Sequence, residues 1–352
     1  MGTKQVLDRK QSNSIKPLVE VRDLSVEFRS KTGNVKAVKG VNFSLHQSET
    51  LAILGESGSG KSTVALAMMG LLPKPNGHID GGNIFFQGKD LVRLGEYERR
   101  RLRGSQMSMI FQDPLSALNP VYTVGFQIGE VLRIHKRMSR SKIKNAVIEL
   151  MEQVRIPDAR KRFNDYPHQF SGGMQQRIMI AIALALEPKV LIADEPTTAL
   201  DVTVQAQIMN LLKELQKTEK MGLVLISHDL GVVANNADRV AVMYAGNMVE
   251  TGKVEEVFQN PAHPYTVGLM ESLPSLNKNT DRLIPIKGSP PNLLTPPKGC
   301  AFHPRCPLAR DKCKSVVPGL KKVSEGRESA CHFYEEVLNN DLYKGKANIR
   351  RG

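Results

Sequence analysis

GESGSGKST, Gly55–Thr63, is the stretch that decides how the rest of the chain reads. It fits the spacing G-x-x-x-x-G-K-[ST]. The apolar run TLAIL leads into it, and VALAMMGLL after it has the character of a helix. A strand, a glycine-rich turn and a helix in that order form a cradle for phosphate. Gly55, Gly58 and Gly60 let backbone N–H groups of the loop, those of Ser57 and Ser59 included, converge on phosphate oxygens at a helix N-terminus. Lys61 is placed to reach the β- and γ-phosphates. The Ser62 hydroxyl, with Thr63 beside it, is placed to bind Mg²⁺. A glycine-rich turn without a ligand is the plainer alternative, and the full motif in its strand–helix context argues against it.

VLIADEPTTALD supplies the second half of the same chemistry. Its apolar residues set Asp194 at the end of a buried strand, where a carboxylate can hold the Mg²⁺ shell. Glu195, next along, is the candidate general base for an attacking water. Without the phosphate loop upstream, such a pair would read equally well as a solvated turn.

Composition sets the frame. A chain of 352 residues with 41% apolar content is long enough for one large domain plus an appendage, or for two domains. Its net charge of +14 fits nucleic acid, an anionic surface or acidic partners, and does not choose among them. Residues 1–17, MGTKQVLDRKQSNSIKP, are polar, carry no signal-peptide core and read as a mobile tail. The longest apolar run, IMIAIALAL (Ile178–Leu186), is about half of the roughly 18 residues a membrane span needs, so a buried helix is expected there. These features predict a cytoplasmic protein, where clustered cysteines bind metal more often than they pair.

Along the chain, LVEVRDLSVEF (Leu18–Phe28), AVKGVNFSLHQSE and NIFFQGKDL alternate as half-buried strands do. Ile143, Val147, Leu150 and Val154 recur at helical spacing, marking a helical segment over about 113–180. VLIADEP and GLVLISHD are buried strands flanking the helix TVQAQIMNLLKELQKTE. Strands alternating with helices predict a parallel α/β sheet. From Pro261 proline rises sharply, and the spacing predicts a linker and an irregular tail.

FSGGMQQR (Phe170–Arg177) narrows the field. It resembles the signature of ABC-type ATPases, usually written LSGGQ, from which Phe170 and Met174 depart while Ser171, Gly172 and Gly173 stay intact. A serine-capped helix start describes the segment in isolation; the order of motifs decides. IFQDP resembles the Q-loop, with Gln112 near metal and water. TALD resembles the D-loop, with Asp201 facing a partner. LISHDL resembles the switch region, with His228 near the γ-phosphate, although a lone histidine after a strand is more often structural. Phe28 resembles the aromatic residue that stacks on adenine, and a strand-core phenylalanine is nearly as good a description. The resemblance spans about residues 18–260. It implies a P-loop ABC ATPase: a RecA-like parallel sheet core, an antiparallel β subdomain and an inserted helical subdomain. It also implies that Ser171 and its glycines meet the nucleotide of a partner subunit.

FQDPLSALNP, FSGGMQQRIMIAIAL and NPAHPYTVGLMESLP resemble the oligopeptide/dipeptide (and nickel) branch of bacterial ABC importers, specifically its D-type ATPase. That resemblance implies ATP hydrolysis at the cytoplasmic face of the membrane. It implies a heterodimer with a homologous F-type ATPase, two transmembrane permease subunits and an extracytoplasmic binding protein, and no nucleic acid. Residues 261–352 then form the C-terminal extension of that branch.

All four cysteines lie in this extension: Cys300, Cys306, Cys313 and Cys331. Four thiolates suit zinc or an iron–sulfur cluster, and the paired C-x₂₋₄-C spacing of structural zinc sites is missing. The resemblance implies a 4Fe-4S cluster; zinc and a metal-free tail are the alternatives. His303 and His332 read as solvated rather than as ligands. Two other function classes compete with the importer. One is a soluble ABC ATPase acting on nucleic acid or ribosomes, which the charge suits but which the 5% aromatic content, the lack of Trp and the single ATPase unit do not. The other is an ATP-binding module without turnover. Nickel chelates and other solutes compete with peptides as cargo.

Overall fold

The computed structural model describes residues 16–31, 33–198, 200–272 and 286–340. Most of the polar N-terminal tail, and the stretches 273–285 and 341–352 of the extension, lie outside the described residues.

Two sheets organise these residues. The first is antiparallel, in the order β2-β1-β4-β5, from β1 (Val19–Ser30), β2 (Gly33–Leu45), β4 (Gly77–Phe86) and β5 (Lys89–Asp90). Its alternating sequences bury one face on a core of Val19, Val21, Leu24, Val38, Val41 and Ile84. The second has eight strands. Five are parallel and contiguous, in the order β9-β3-β8-β7-β6 with β6 at the edge: β3 (Thr50–Leu54), β6 (Met107–Ile110), β7 (Val190–Asp194), β8 (Gly222–Ser227) and β9 (Arg239–Tyr244). Strands β3, β7 and β8 are buried at every residue, as continuous apolar runs covered on both faces must be. Strand β10 (Asn247–Lys253) returns antiparallel to β9.

The expected helical segment is present. Helices Val124–His135, Arg140–Gln153 and Gly172–Leu184 share one core, in which Ile128, Val147, Met151 and Ile178 are fully or nearly fully buried. The last is the expected buried helix.

The extension departs from the expectation of an irregular tail. Strands β11 (Lys321–Ser324) and β12 (Arg327–Ser329) extend the main sheet, β12 pairing antiparallel with β10. Helix Pro264–Glu271 starts at a proline, which suits a first helical turn. Proline marked the loops here and concealed short elements held by distant partners. Arg327 on β12 and Glu250 on β10 are both buried, and Arg327 Nη2 donates to Glu250 Oε1 at 2.9 Å. Tyr244, Tyr265 and Phe302 pack ring to ring with centroids 4.6–5.4 Å apart, joining β9 to the cysteine-bearing segment.

Candidate nucleotide site

Strand β3 delivers the chain into the loop Gly55–Gly60, and helix Lys61–Met69 leaves it. The backbone geometry explains the glycines. Gly60 has φ 104° and a Cβ there would sit 2.5 Å from the Ala37 carbonyl oxygen. A Cβ at Gly55 would run into the Met243 carbonyl.

The loop borders a cavity of about 860 Å³ whose walls include Gly55, Ser57, Gly58, Gly60, Lys61, Ser62 and Thr63. Gln112, Glu195 and His228 also line it. Four expected motifs, scattered from residue 55 to residue 228, thus meet at one cavity. Lys61 is buried, and its Nζ donates to the Gly55 and Glu56 carbonyl oxygens at 2.8 and 3.1 Å. Burial lowers its pKa, opposed by Glu195, Asp194 and Glu56. Ser62 Oγ donates to Asp194 Oδ1 at 3.0 Å, across 132 residues of sequence. Burial raises the Asp194 pKa, and the Ser62 hydrogen bond opposes that. A hydroxyl and a carboxylate in contact, with a fixed ammonium beside them, form a donor set that fits Mg²⁺ held against triphosphate. The buried Ser59 Oγ, which has no hydrogen-bond partner among the described residues, adds an unused polar group to the loop.

Glu195 sits just past the end of β7 with φ 46°, a left-handed conformation that costs a non-glycine residue energy and is concentrated at functional sites. Its carboxylate gathers the other motifs. Gln112 Nε2 donates to Oε2 at 3.0 Å, and His228 Nδ1 lies 3.2 Å from Oε1. Thr198 Oγ1 donates to Oε2 at 3.0 Å. Thr198 was missed in the sequence, although its place three residues after Glu195 in EPTTALD was the available signal. Lys61 Nζ stands 3.8 Å from Oε1.

Other expected residues stand elsewhere. Ser171 caps helix Gly172–Leu184, its Oγ accepting from the Met174 N–H at 3.4 Å. Asp201 caps helix Val202–Thr218, its Oδ1 accepting from the Val204 N–H at 3.0 Å. Ser171, Gly172 and Asp201 are exposed, Gly173 is half-buried, and none borders this chain's own cavity. Phe28 is half-buried on β1, its ring against Gly77, and is not brought to the cavity wall.

The extension does border the cavity, which the sequence did not reveal. Leu269, Ser272 and Ile286 form part of its wall, and the Glu56 N–H donates to the Tyr265 hydroxyl at 2.9 Å.

The four cysteines are free thiols. Burial pushes Cys306 up to about 11 and Cys331 up to about 12, and in both the charges of neighbouring thiols add to the shift. The thiols are therefore close enough to sense one another. As placed, however, no group of three or more His, Cys, Asp or Glu side chains among the described residues is arranged to hold a metal ion. The expected ligand set of Cys300, Cys306, Cys313 and Cys331 is gathered, not assembled. The two nearby histidines are occupied: His303 Nδ1 lies 2.9 Å from the Cys300 carbonyl oxygen and His332 Nε2 lies 2.9 Å from that of Val316. No described helix is long and apolar enough to cross a membrane.

Comparison with known proteins agrees with this geometry. Residues 38–198 match the ABC transporter family, and residues 249–313 match the oligopeptide/dipeptide transporter C-terminal region. The dipeptide transport ATP-binding protein DppD of Bacillus subtilis is 50% identical over 330 residues, covering 94% of this chain and 98% of that protein. The oligopeptide transport ATP-binding protein OppD of Salmonella typhimurium is 52% identical over 321 residues, covering 91% and 95%. Among solved structures, a dimeric post-hydrolysis state of the ATP-binding cassette MJ0796 bound to ADP and Pi superposes with a TM-score of 0.61 at 27% identity, over 67% of this chain and 98% of that one. The chain belongs to the ABC transporter family, in its oligopeptide/dipeptide branch.

Proposed function

We propose that this chain is the ATP-hydrolysing subunit of a peptide importer, working at the cytoplasmic face of the membrane. One observation carries the proposal: Ser62, Glu195, Gln112 and His228 border one cavity lined by the phosphate loop, and Asp194 is hydrogen-bonded to Ser62 at its edge. The names of the relatives, dipeptide and oligopeptide transport ATP-binding proteins, supply the cargo class.

In this reading Lys61 and the loop N–H groups hold the β- and γ-phosphates. Ser62 and Asp194, with Gln112 near them, hold Mg²⁺, which offsets the charge developing on the transferred phosphoryl group. Glu195 accepts the proton of the attacking water. Gln112, Thr198 and His228 fix the carboxylate, so that it needs little rearrangement to act. Ser171, Gly172, Gly173 and Asp201 present an exposed face toward the nucleotide of a second ATPase. We assign that place to a homologous F-type subunit; a second copy of this chain would complete the site with the same groups. Phe28 enters the reading through its resemblance alone. Two permease subunits and an extracytoplasmic binding protein complete the importer, and ATP-driven closure of the paired ATPases shifts the permeases between two states.

Residues 18–260 form the catalytic unit and residues 261–352 an accessory extension. For the extension we propose that the four thiols take up a 4Fe-4S cluster, supported by their mutual electrostatic proximity and by four-thiolate chemistry. Broad visible absorption after anaerobic purification is the expected result; stoichiometric zinc, or no metal, contradicts it.

The function itself is tested with Glu195→Gln in the assembled importer. ATP binding is retained while hydrolysis falls on the order of 10²–10⁴-fold, the range of a lost general base. Hydrolysis at the normal rate overturns the role of Glu195.

A further inference from the structure

The phosphate loop carries a carboxylate that the proposed mechanism does not use. Glu56, its second residue, borders the cavity, and an unpaired carboxylate there repels an incoming triphosphate. The structure pairs it with a residue from the far end of the chain. Arg305 lies between Cys300 and Cys306, 249 residues away. Its Nη1 donates to Glu56 Oε2 at 2.8 Å and its Nη2 to Glu56 Oε1 at 3.1 Å, a two-pronged pair.

The guanidinium is itself fixed. Its Nε donates to the Lys287 carbonyl at 3.1 Å, Nη2 also to that of Ile286 at 3.3 Å, and Nη1 to the Tyr244 hydroxyl at 3.3 Å. Its side chain is only 6% exposed, whereas that of Glu56 is 25% exposed and faces the cavity rim. Together with Tyr265 on its N–H and Lys61 on its carbonyl, Glu56 is held at three points, two of them supplied by the extension.

We infer that Arg305 is a positioning residue for nucleotide binding: it holds the Glu56 carboxylate and cancels its charge, so that the loop presents a net attractive field to ATP. The inference rests on the reading of this loop as the triphosphate site. A tie that served only to fasten the extension would use the same contacts, but it would not respond to the charge of Glu56, and that difference is measurable.

The experiment is a Mg·ATP titration of hydrolysis by the assembled importer. Arg305→Ala is expected to raise KM for ATP about tenfold and to leave kcat within about twofold. Adding Glu56→Gln to Arg305→Ala removes the uncompensated charge and returns KM to within about threefold of normal. Arg305→Lys, which keeps the charge and loses the fork, falls between. An unchanged KM in Arg305→Ala, or a double variant as impaired as the single, overturns the inference. Glu56→Gln alone leaves the extension's own sequence unchanged and serves where Arg305→Ala does not assemble. It leaves the Arg305 charge behind the loop without its counter-charge, so its KM falls below normal; an unchanged or raised KM overturns the inference. An unaltered importer whose hydrolysis shows no saturable dependence on ATP overturns the reading of the loop itself, a result distinct from either of these.

Discussion

Two carboxylates set the two halves of this chain apart. Glu195 in the nucleotide site is met by Gln112, Thr198, His228 and Lys61, and opens onto a cavity. Glu250 at the root of the extension is 0% exposed, and Arg327 and the Ala262 N–H hold it. The first arrangement sets a carboxylate beside a cavity. The second locks a strand to a sheet. Only the first leaves room for a ligand, so the two regions are expected to fail in different ways when damaged.

The largest contrast comes from Lys61. Lys61→Ala removes the buried ammonium beside Asp194 and Glu195, and is expected to reduce hydrolysis by on the order of 10²-fold or more in the assembled importer. Thermal unfolding separates this loss from misfolding, because the variant keeps its melting temperature near normal. A collapse of stability would place Lys61 among structural residues.

Arg327→Met probes the other side. It leaves Glu250 buried without its cation, a loss of about 3–5 kcal/mol in comparable buried pairs. The expected result is a lower denaturant midpoint with kcat at low temperature largely kept. Replacing Glu250 with Leu in the same variant is expected to recover most of the midpoint, since an apolar pair no longer buries a lone charge. Failure to recover would mean that Arg327 acts through its other contact, the Asn260 carbonyl.

The smallest effect is one of pH. His263 is buried, its Nδ1 accepts the Tyr265 N–H at 3.0 Å, and burial pushes its pKa down to about 3. In the unfolded chain the same imidazole titrates near 6.5. Between these values only the unfolded state takes the proton, so this contribution is complete above about pH 6.5 and is lost as pH falls toward 3. The denaturant midpoint is expected to drop between pH 7 and pH 5, and His263→Asn to flatten that drop. Equal slopes would remove His263 from the account.

The same contrast explains what could be read from the sequence. Lys61, Ser62, Asp194, Glu195 and His228 were legible because phosphate chemistry demands particular residues at short, fixed spacings. Strands β3, β7 and β8 were legible because burial on both faces demands apolar runs, whereas β6 and β9 were not singled out. Arg305 reaches Glu56 across 249 residues, and no local pattern links the two. The pairing of Arg327 with Glu250 spans 77 residues and hid two sheet strands within a stretch that proline content marked as irregular. Phe28 was placed by resemblance, and packing against Gly77 keeps it off the cavity wall. Local chemistry leaves local signatures, whereas fastening between distant segments leaves almost none.

The most direct test of the central claim uses vesicles holding the whole importer, with ATP inside and peptide-loaded binding protein outside. Peptide uptake and ATP consumption are expected to rise together, and both to vanish with Glu195→Gln. Uptake that continues while ATP consumption has stopped would contradict the assignment of this chain as the subunit that drives transport.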